Sequence, residues 1–382
     1  MGKMSREQHP LKIAIVTNVV PKYREGFYKR LFNEKNLKID VYCQSEIPRT
    51  GLRTIKGYEQ IKTVSFWGIS KEVFVWQFLP FLKIFKKYDL VFVDGNPRYA
   101  SHFILATLLR LLNKKVVLWT MAHSFNAKPL FEKIRLAWTR CFNNVFVYND
   151  FEARVLKKQW PKHNIIGMNN GLDQEEIDSI ISRWNKGKLS YWQIKNGLEA
   201  KLVVLSCARL TKKNQLDLFL NSLPDIVTQI PSIIWCIIGS GEEHQHLENM
   251  VKTLGMNNHV RLIGDLYDEQ ALAPWFLSSR LMIHPASIGL SLLHAFAYGV
   301  PVLTNDDFKR HGPEIVALED GKNGLLFREG DATHLKEKVV SFFSNESVEA
   351  NMRLAAKFSA QHKFNTGIMA DNFLRMVTIT MQ

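Results

Sequence analysis

No stretch of this 382-residue chain is apolar for the roughly 18 residues that a membrane-spanning helix needs. The longest candidate, residues 103–112, is interrupted by Arg110 and stops at Asn113. The N-terminus is polar and lacks the apolar core of a secretion signal. Cysteine is scarce: Cys43, Cys141, Cys207 and Cys236 fall at no metal-binding spacing, and three of them lie within expected strands. They read as reduced thiols of a cytoplasmic chain. No Asp-X-Asp pair or histidine cluster offers a metal site, so no metal or other cofactor is expected. Low-complexity segments and internal repeats are absent. Acidic residues are short in one half only. Residues 1–170 carry 29 Lys and Arg against 12 Asp and Glu, a balance of +17, whereas residues 171–382 carry 21 against 24, a balance of −3. Such a split suits a first half that meets an anionic membrane surface or another polyanion. The lysines are dispersed, and no basic–aromatic recognition pattern accompanies them, which argues against nucleic acid.

What is present is an alternation of apolar runs and amphipathic stretches. The length predicts two domains. Residues 11–17, 37–43, 89–93, 115–119, 144–148 and 164–168 read as strands, with helices over 25–32, 75–87, 99–112 and 131–140. This order predicts a parallel sheet with helices on both faces. The pattern pauses at residues 169–173 and restarts. A helix over 173–184 and a polar excursion over 186–197 precede strands at 202–207, 233–239, 259–264, 281–283 and 300–303. The expected division is a first domain over 1–168, a second over 169–362, and a final helical segment, 363–382, packing back on the first. The fold class is α/β, two Rossmann-like doubly wound domains facing across a cleft. Ligands of open parallel sheets bind at the carboxyl ends of the strands, so the loops there are where chemistry belongs.

Several such loops stand out. Arg209, Lys212 and Lys213 follow strand 202–207 directly, and three cations within five residues suit a diphosphate. In the stretch HPASIGLSLLHAFAYGVPVLTND (284–306), Gly289 opens a helix whose first amides lack intrahelical partners, a ready anion site. Gly239 and Gly241 allow a tight turn, although no third glycine completes a dinucleotide fingerprint. Tyr23 and Arg24 after the first strand, with Asn96 and Arg98 after strand 89–93, outline a basic pocket in the first half. His123 lies just beyond the strand ending at Trp119.

Taken together, Arg209–Asn214, Gly239–Gly241, His284–Asp306, Gly312-Pro313-Glu314-Ile315 and Asp320–Gly324 resemble the GT-B glycosyltransferases of family 4, in a bacterial surface-polysaccharide branch. The likeness extends over nearly the whole chain. It implies a retaining, metal-independent enzyme that uses a nucleoside diphosphate sugar. Arg209 and Lys213 would hold the diphosphate, with Lys212, Gly239, Gly241, Gly264, Leu266, Ser287, Gly289, Leu290, His294 and Glu314 lining the donor. His123 would stand near the donor sugar. Tyr23, Arg24, Asn96 and Arg98 would meet a glycan or polyprenyl-diphosphate-linked acceptor at the inner face of the membrane. One departure is plain. The family's two glutamates, with seven residues between them, fall here on Ala286 and His294. His294 retains a ring nitrogen for a ribose hydroxyl, while Ala286 cannot replace a carboxylate, so sugar recognition would pass to backbone amides near 287–290. The alternative is a non-catalytic nucleotide-sugar- or partner-binding protein on the same scaffold.

Overall fold

The computed structural model describes residues 9–48, 50–69, 74–121 and 129–382. The chain divides into two units, one of residues 1–173 with 366–382 and one of residues 174–365.

In chain order the first unit contains strands β1 (Leu11–Val16), β2 (Leu37–Cys43), β3 (Ile61–Thr63), β4 (Phe66–Ile69), β5 (Phe74–Gln77), β6 (Leu90–Asp94), β7 (Lys115–Thr120), β8 (Asn144–Val147) and β9 (Asn164–Gly167). Its helices are α1 (Glu25–Phe32), α2 (Phe81–Lys87), α3 (Ala100–Leu111), α4 (Pro129–Thr139) and α5 (Asp150–Gln159). Seven strands form a parallel sheet in the order β3-β2-β1-β6-β7-β8-β9, and β4–β5 is a separate antiparallel hairpin. Alternation along β1 divides the core in two. Ile13 and Ile15 pack with Phe27 and Leu31 of α1 and with Met369, Phe373 and Met376 of the last helix. Ala14 and Val16 face Ile84 of α2, Leu105 and Leu109 of α3, and Leu156 of α5. Phe373 stacks on Phe92 with ring centroids 4.2 Å apart. Burying side chains of this size is worth about 1.5–3 kcal/mol each, enough to hold the terminal helix on the first sheet.

The second unit continues with α6 (Gln174–Ile181), α7 (Lys186–Lys195), β10 (Leu202–Cys207), α8 (Leu216–Gln229), β11 (Ile233–Ile238), α9 (His244–Thr253), β12 (Val260–Gly264), α10 (Glu269–Ser278), β13 (Ser279–Ile283), α11 (Leu290–Ala297), β14 (Val302–Asn305), β15 (Gly324–Phe327), α12 (Ala332–Phe343) and α13 (Glu346–His362). The last helix, α14 (Thr366–Met381), returns to the first unit. The sheet order is β12-β11-β10-β13-β14-β15, all parallel. In each sheet the first strand of the unit, β1 or β10, is the one where the strand order reverses.

The structure departs from the sequence expectations at four places. Residues 75–87 are not one helix: Val75 and Gln77 belong to β5, and α2 starts only after Pro80, which has no amide to continue a helical ladder. The polar stretch 186–197 does contain a helix, α7. Asn185 caps it by accepting from Lys188 N at 2.8 Å, and Trp192 meets Trp275 edge-on at 4.8 Å. The final helical segment, expected from residue 363, begins only at Thr366, after a break at 363–365 where the chain passes between units. The division falls at 173/174 and 365/366 rather than at 168/169 and 362/363, because residues 169–173 are tied to the first unit. Gly171 N–H donates to Met369 Sδ at 3.2 Å, and Thr366 N–H donates to Leu172 O at 3.0 Å.

Candidate functional site

In the second unit the loop after β10 carries the cations. Arg209, Lys212 and Lys213 are exposed, and their side-chain nitrogens have no ion-pair or hydrogen-bond partner among the described residues. The loop beneath them is tied down by burial and backbone hydrogen bonds. Leu210 is fully buried, its N–H donates to Ser240 O at 2.8 Å, and its carbonyl accepts from Glu243 N. Buried Asn214 donates to Arg209 O at 2.5 Å, while its own carbonyl accepts from Ala286 N at 3.2 Å. One asparagine therefore joins the cationic loop to the segment that opens α11. His284, at the end of β13, is buried among these groups. Burial chiefly, with His311 and Lys213 adding like charge, pushes its pKa down to about 4, so it is neutral at pH 7. Its Nδ1 has no partner among the described residues.

Gly239 and Gly241 serve packing. Both have positive φ, and a Cβ would come within 2.0 Å of Ala208 O at the first and 2.1 Å of Leu210 O at the second. The loop after β11 is thereby pressed onto the cationic loop. Gly264 also has positive φ but stands open, and Leu266 follows it in the turn after β12. In the same turn Asp265 accepts from Ser240 Oγ at 2.5 Å.

At the start of α11, Ser287 holds a left-handed conformation and donates to Arg310 O at 3.2 Å. Ile288 N–H is taken by His311 Nδ1, but the amides of Gly289, Leu290 and Ser291 have no acceptor among the described residues. Glu314 lies at the same mouth. A Cβ on Gly289 would stand 3.7 Å from its Oε2, and one on Gly312 only 2.7 Å. A carboxylate beside free helix-N-terminal amides is electrostatically favoured. Ala286 is fully buried and reaches no ligand surface.

His294 is mostly buried, and its ring nitrogen is already used. Nε2 meets Glu269 Oε1 at 2.8 Å, and Tyr298 donates to the same oxygen at 2.6 Å, with Phe276 packed on the imidazole at 4.5 Å. Burial pushes the Glu269 carboxyl up, but the bonds from His294 and Tyr298 outweigh it and hold its pKa below the usual value. The other carboxylate oxygen, Oε2, has no partner among the described residues. Glu269 opens α10 and faces the end of β10: burial first, and then its charge, drive the Cys207 thiol up to about 12. No local pattern in the sequence marks Glu269, because its partners lie 25 and 29 residues away.

In the first unit Arg24 is buried rather than lining an open basic pocket. Its guanidinium lies 5.5 Å from the Trp119 ring centroid, 5.7 Å from Tyr148 and 5.8 Å from Tyr23, and Nη2 donates to Tyr148 Oη at 3.1 Å. Its Nε has no partner among the described residues. The neighbouring acid is Asp94, at the end of β6. Burial raises its pKa to about 6, against the opposing pull of the Asn96 amide and the Arg24 charge. Asn96 N–H donates to Asp94 Oδ1 and Arg98 N–H to Asn96 Oδ1, each at 3.1 Å, and the Arg98 side chain is exposed. The residues expected to outline a basic pocket therefore have a carboxyl group beside them. Below it, His102 is buried between Asp94 O and Gln77 Oε1, and burial drives its pKa down to about 3. His123 lies outside the described residues.

Two doubly wound units with open strand-end loops define a GT-B fold. Residues 192–358 match the family model described as glycosyl transferases group 1. Among curated proteins, the GtfA subunit of a UDP-N-acetylglucosamine–peptide N-acetylglucosaminyltransferase of Streptococcus agalactiae is 23% identical over 309 residues, 76% of this chain and 57% of that protein. The lipopolysaccharide core biosynthesis glycosyltransferase LpsE of Rhizobium meliloti is 22% identical over 178 residues, 46% of this chain and 49% of that protein. The chain spans about half the length of the curated relatives it matches. A crystal structure of HepE of Anabaena in complex with UDP superposes with a TM-score of 0.64 at 14% identity, covering 97% of this chain and all of that one. Over residues 192–358 the chain is thus similar to the group 1 glycosyltransferases, and its two doubly wound units share the GT-B fold of solved glycosyltransferases.

Proposed function

We propose that this chain is a retaining glycosyltransferase. It moves a sugar from a nucleoside diphosphate donor to a hydroxyl of a glycan or polyprenyl-diphosphate-linked acceptor in surface-polysaccharide assembly, peripherally on the inner face of an anionic membrane. The observation that carries the reading is the pairing, through Asn214, of three unpartnered cations after β10 with three unpartnered amides at the start of α11. Negative charge builds on the diphosphate as the glycosidic bond breaks. Arg209, Lys213 and the α11 amides are preorganised donors for that charge, with Lys212 at their edge. The reading needs no metal for this role. A uridine donor is favoured by the UDP in HepE and by the name of the streptococcal relative.

The two missing glutamates are answered differently. Glu314, against Gly289, is the carboxylate placed for the sugar hydroxyls that Ala286 cannot reach. His294 acts through Glu269, whose free Oε2 takes the ribose hydroxyl. Leu266 and the 239–241 loop border the base. Asp94, Arg24, Tyr23, Asn96 and Arg98 form the acceptor side. The lipopolysaccharide enzyme among the relatives favours the polysaccharide setting.

A thermal-shift screen of the purified protein against UDP-, GDP- and other nucleotide sugars, followed by a transfer assay with the donor that stabilises it, tests the reading. Stabilisation by one nucleotide sugar together with turnover supports it. Stabilisation with neither transfer nor hydrolysis favours the non-catalytic alternative.

A further inference from the structure

The exposed apolar side chains of the first unit are not scattered. On α3 they form a stripe: Phe103 is 43% exposed, Ile104 39%, Leu108 37% and Leu111 64%, with Leu112 just past the helix end at 61%. The opposite side of the helix, Leu105, Ala106 and Leu109, is fully buried on the sheet. Single exposed leucines need no explanation, but a run along a whole helix does. The stripe continues sideways. Phe103 stacks on Trp138 of α4 at 4.7 Å, and Trp138 Nε1 donates to Thr107 at 3.4 Å, which ties α3 to α4 and brings up Ile134, 56% exposed. On the same side of the sheet α2 packs through Ile84 and turns Leu82 outward.

This helical layer is also cationic. Lys83, Lys86, Lys87, Arg110, Lys133 and Arg135 lie on α2, α3 and α4, against the single acid Glu132. Lys83, Lys86 and Lys114 are exposed and have no ion-pair partner among the described residues. A protein interface would favour an apolar patch with charges of both signs at its rim. An apolar strip flanked by cations almost alone fits an interfacial lipid surface, in which leucines enter the acyl boundary and lysines meet anionic headgroups.

We infer that the outer face of the α2–α3–α4 layer, centred on the α3 stripe, is the surface by which the first unit lies on an anionic bilayer. The opposite side of the sheet, covered by α1 and α14, then faces away from the lipid. This rests on the peripheral-membrane part of the proposal above and not on the transfer reaction. It assigns the attachment to a helix near the middle of the first unit, not to its basic balance in general.

The test is co-sedimentation of the full chain with vesicles of phosphatidylcholine alone and of phosphatidylcholine with phosphatidylglycerol. Three variants are compared: Leu111→Ser with Leu112→Ser, Ile134→Ser, and Leu354→Ser. Leu354 is an equally prominent leucine, 71% exposed, on α13 of the second unit. The wild type should pellet with anionic vesicles and less so in high salt. The Leu111/Leu112 pair should bind roughly tenfold more weakly, Ile134→Ser less severely, and Leu354→Ser as wild type. If the double variant loses its cooperative thermal transition, Ile134→Ser against Leu354→Ser decides. Wild-type pelleting by all three variants would overturn the assignment, as would a wild type that ignores anionic vesicles. A dimer dispersed by the Leu111/Leu112 change, with vesicle binding unaltered, would assign the stripe to a second copy instead. Nucleotide binding measured alongside separates these outcomes from failure of the transfer reading.

Discussion

Arg24 and Arg209 stand in the same place of two similar sheets and are used in opposite ways. Each follows the strand at which the strand order reverses. Arg209 is exposed and has no protein partner among the described residues, whereas Arg24 is buried against three aromatic rings with Tyr148 on one nitrogen. A cation left without a partner can gain one from a ligand and contributes little to the fold. A cation enclosed by rings holds the fold and offers a ligand only what the enclosure leaves open, here Nε. Position in the topology thus fixes where a charge sits, and the neighbouring side chains fix what it is for.

The largest expected effect tests the free member. Arg209→Ala and Lys213→Ala should each lower kcat/KM for transfer by about 2–4 kcal/mol of barrier while leaving the melting temperature nearly unchanged. Near-normal transfer by both would remove the diphosphate role. The next effect concerns the acid beside Arg24. The Asp94 carboxyl is raised to about 6 in the folded chain, so folding favours its protonated form. That contribution is present at low pH and is lost as pH rises from the unfolded carboxyl range through 6. Asp94→Asn should therefore be more stable than wild type at pH 7 but not at pH 4, by at most about 3 kcal/mol. Denaturant titrations at the two pH values check this, and an equal difference at both would refute it.

Arg24→Ala should show the reverse of the Arg209 pattern. Removing a desolvated cation from between rings costs about 2 kcal/mol of stability, visible as a lower melting temperature, whatever it does to turnover. A stable Arg24→Ala protein that is merely inactive would erase the contrast between the two arginines. The smallest effect is at His294. His294→Ala should weaken donor binding by about 0.5–1.5 kcal/mol and also lower the melting temperature, since Glu269 loses a partner. Glu269→Gln should weaken binding of UDP more than of 2′-deoxy-UDP. Equal losses for the two nucleotides would leave Glu269 a structural role only.

The sheets, the loop after β10 and the turn into α11 were legible because each is local. An apolar run, a cluster of cations and a glycine lie within a few residues of one another, and the expected strand 202–207 is β10 to the residue. Elements failed where local pattern and tertiary use disagree. Residues 75–87 carry helical spacing, yet Val75 and Gln77 are engaged in β5 beside α3. Helix α7 has no buried residue to make a stripe and shows itself only through its Asn185 cap. In the candidate site, Glu269 and the aromatic cage of Arg24 were invisible for the same reason. Tyr148 lies 124 residues from Arg24, and no spacing rule spans that distance.

The placement of α14 bears on the order in which this protein can be made. Phe373, Met369 and Met376 complete one side of the first sheet, but they leave the ribosome only after the whole second unit. All of residues 174–365 emerge in between. The first unit must wait through synthesis of the second without the cover that Phe373 gives Phe92, whereas the second can close on itself as soon as its own chain is out. A nascent chain stalled before Thr366 therefore presents a finished second half and an unfinished first. Its exposed apolar sheet face is where a chaperone would bind.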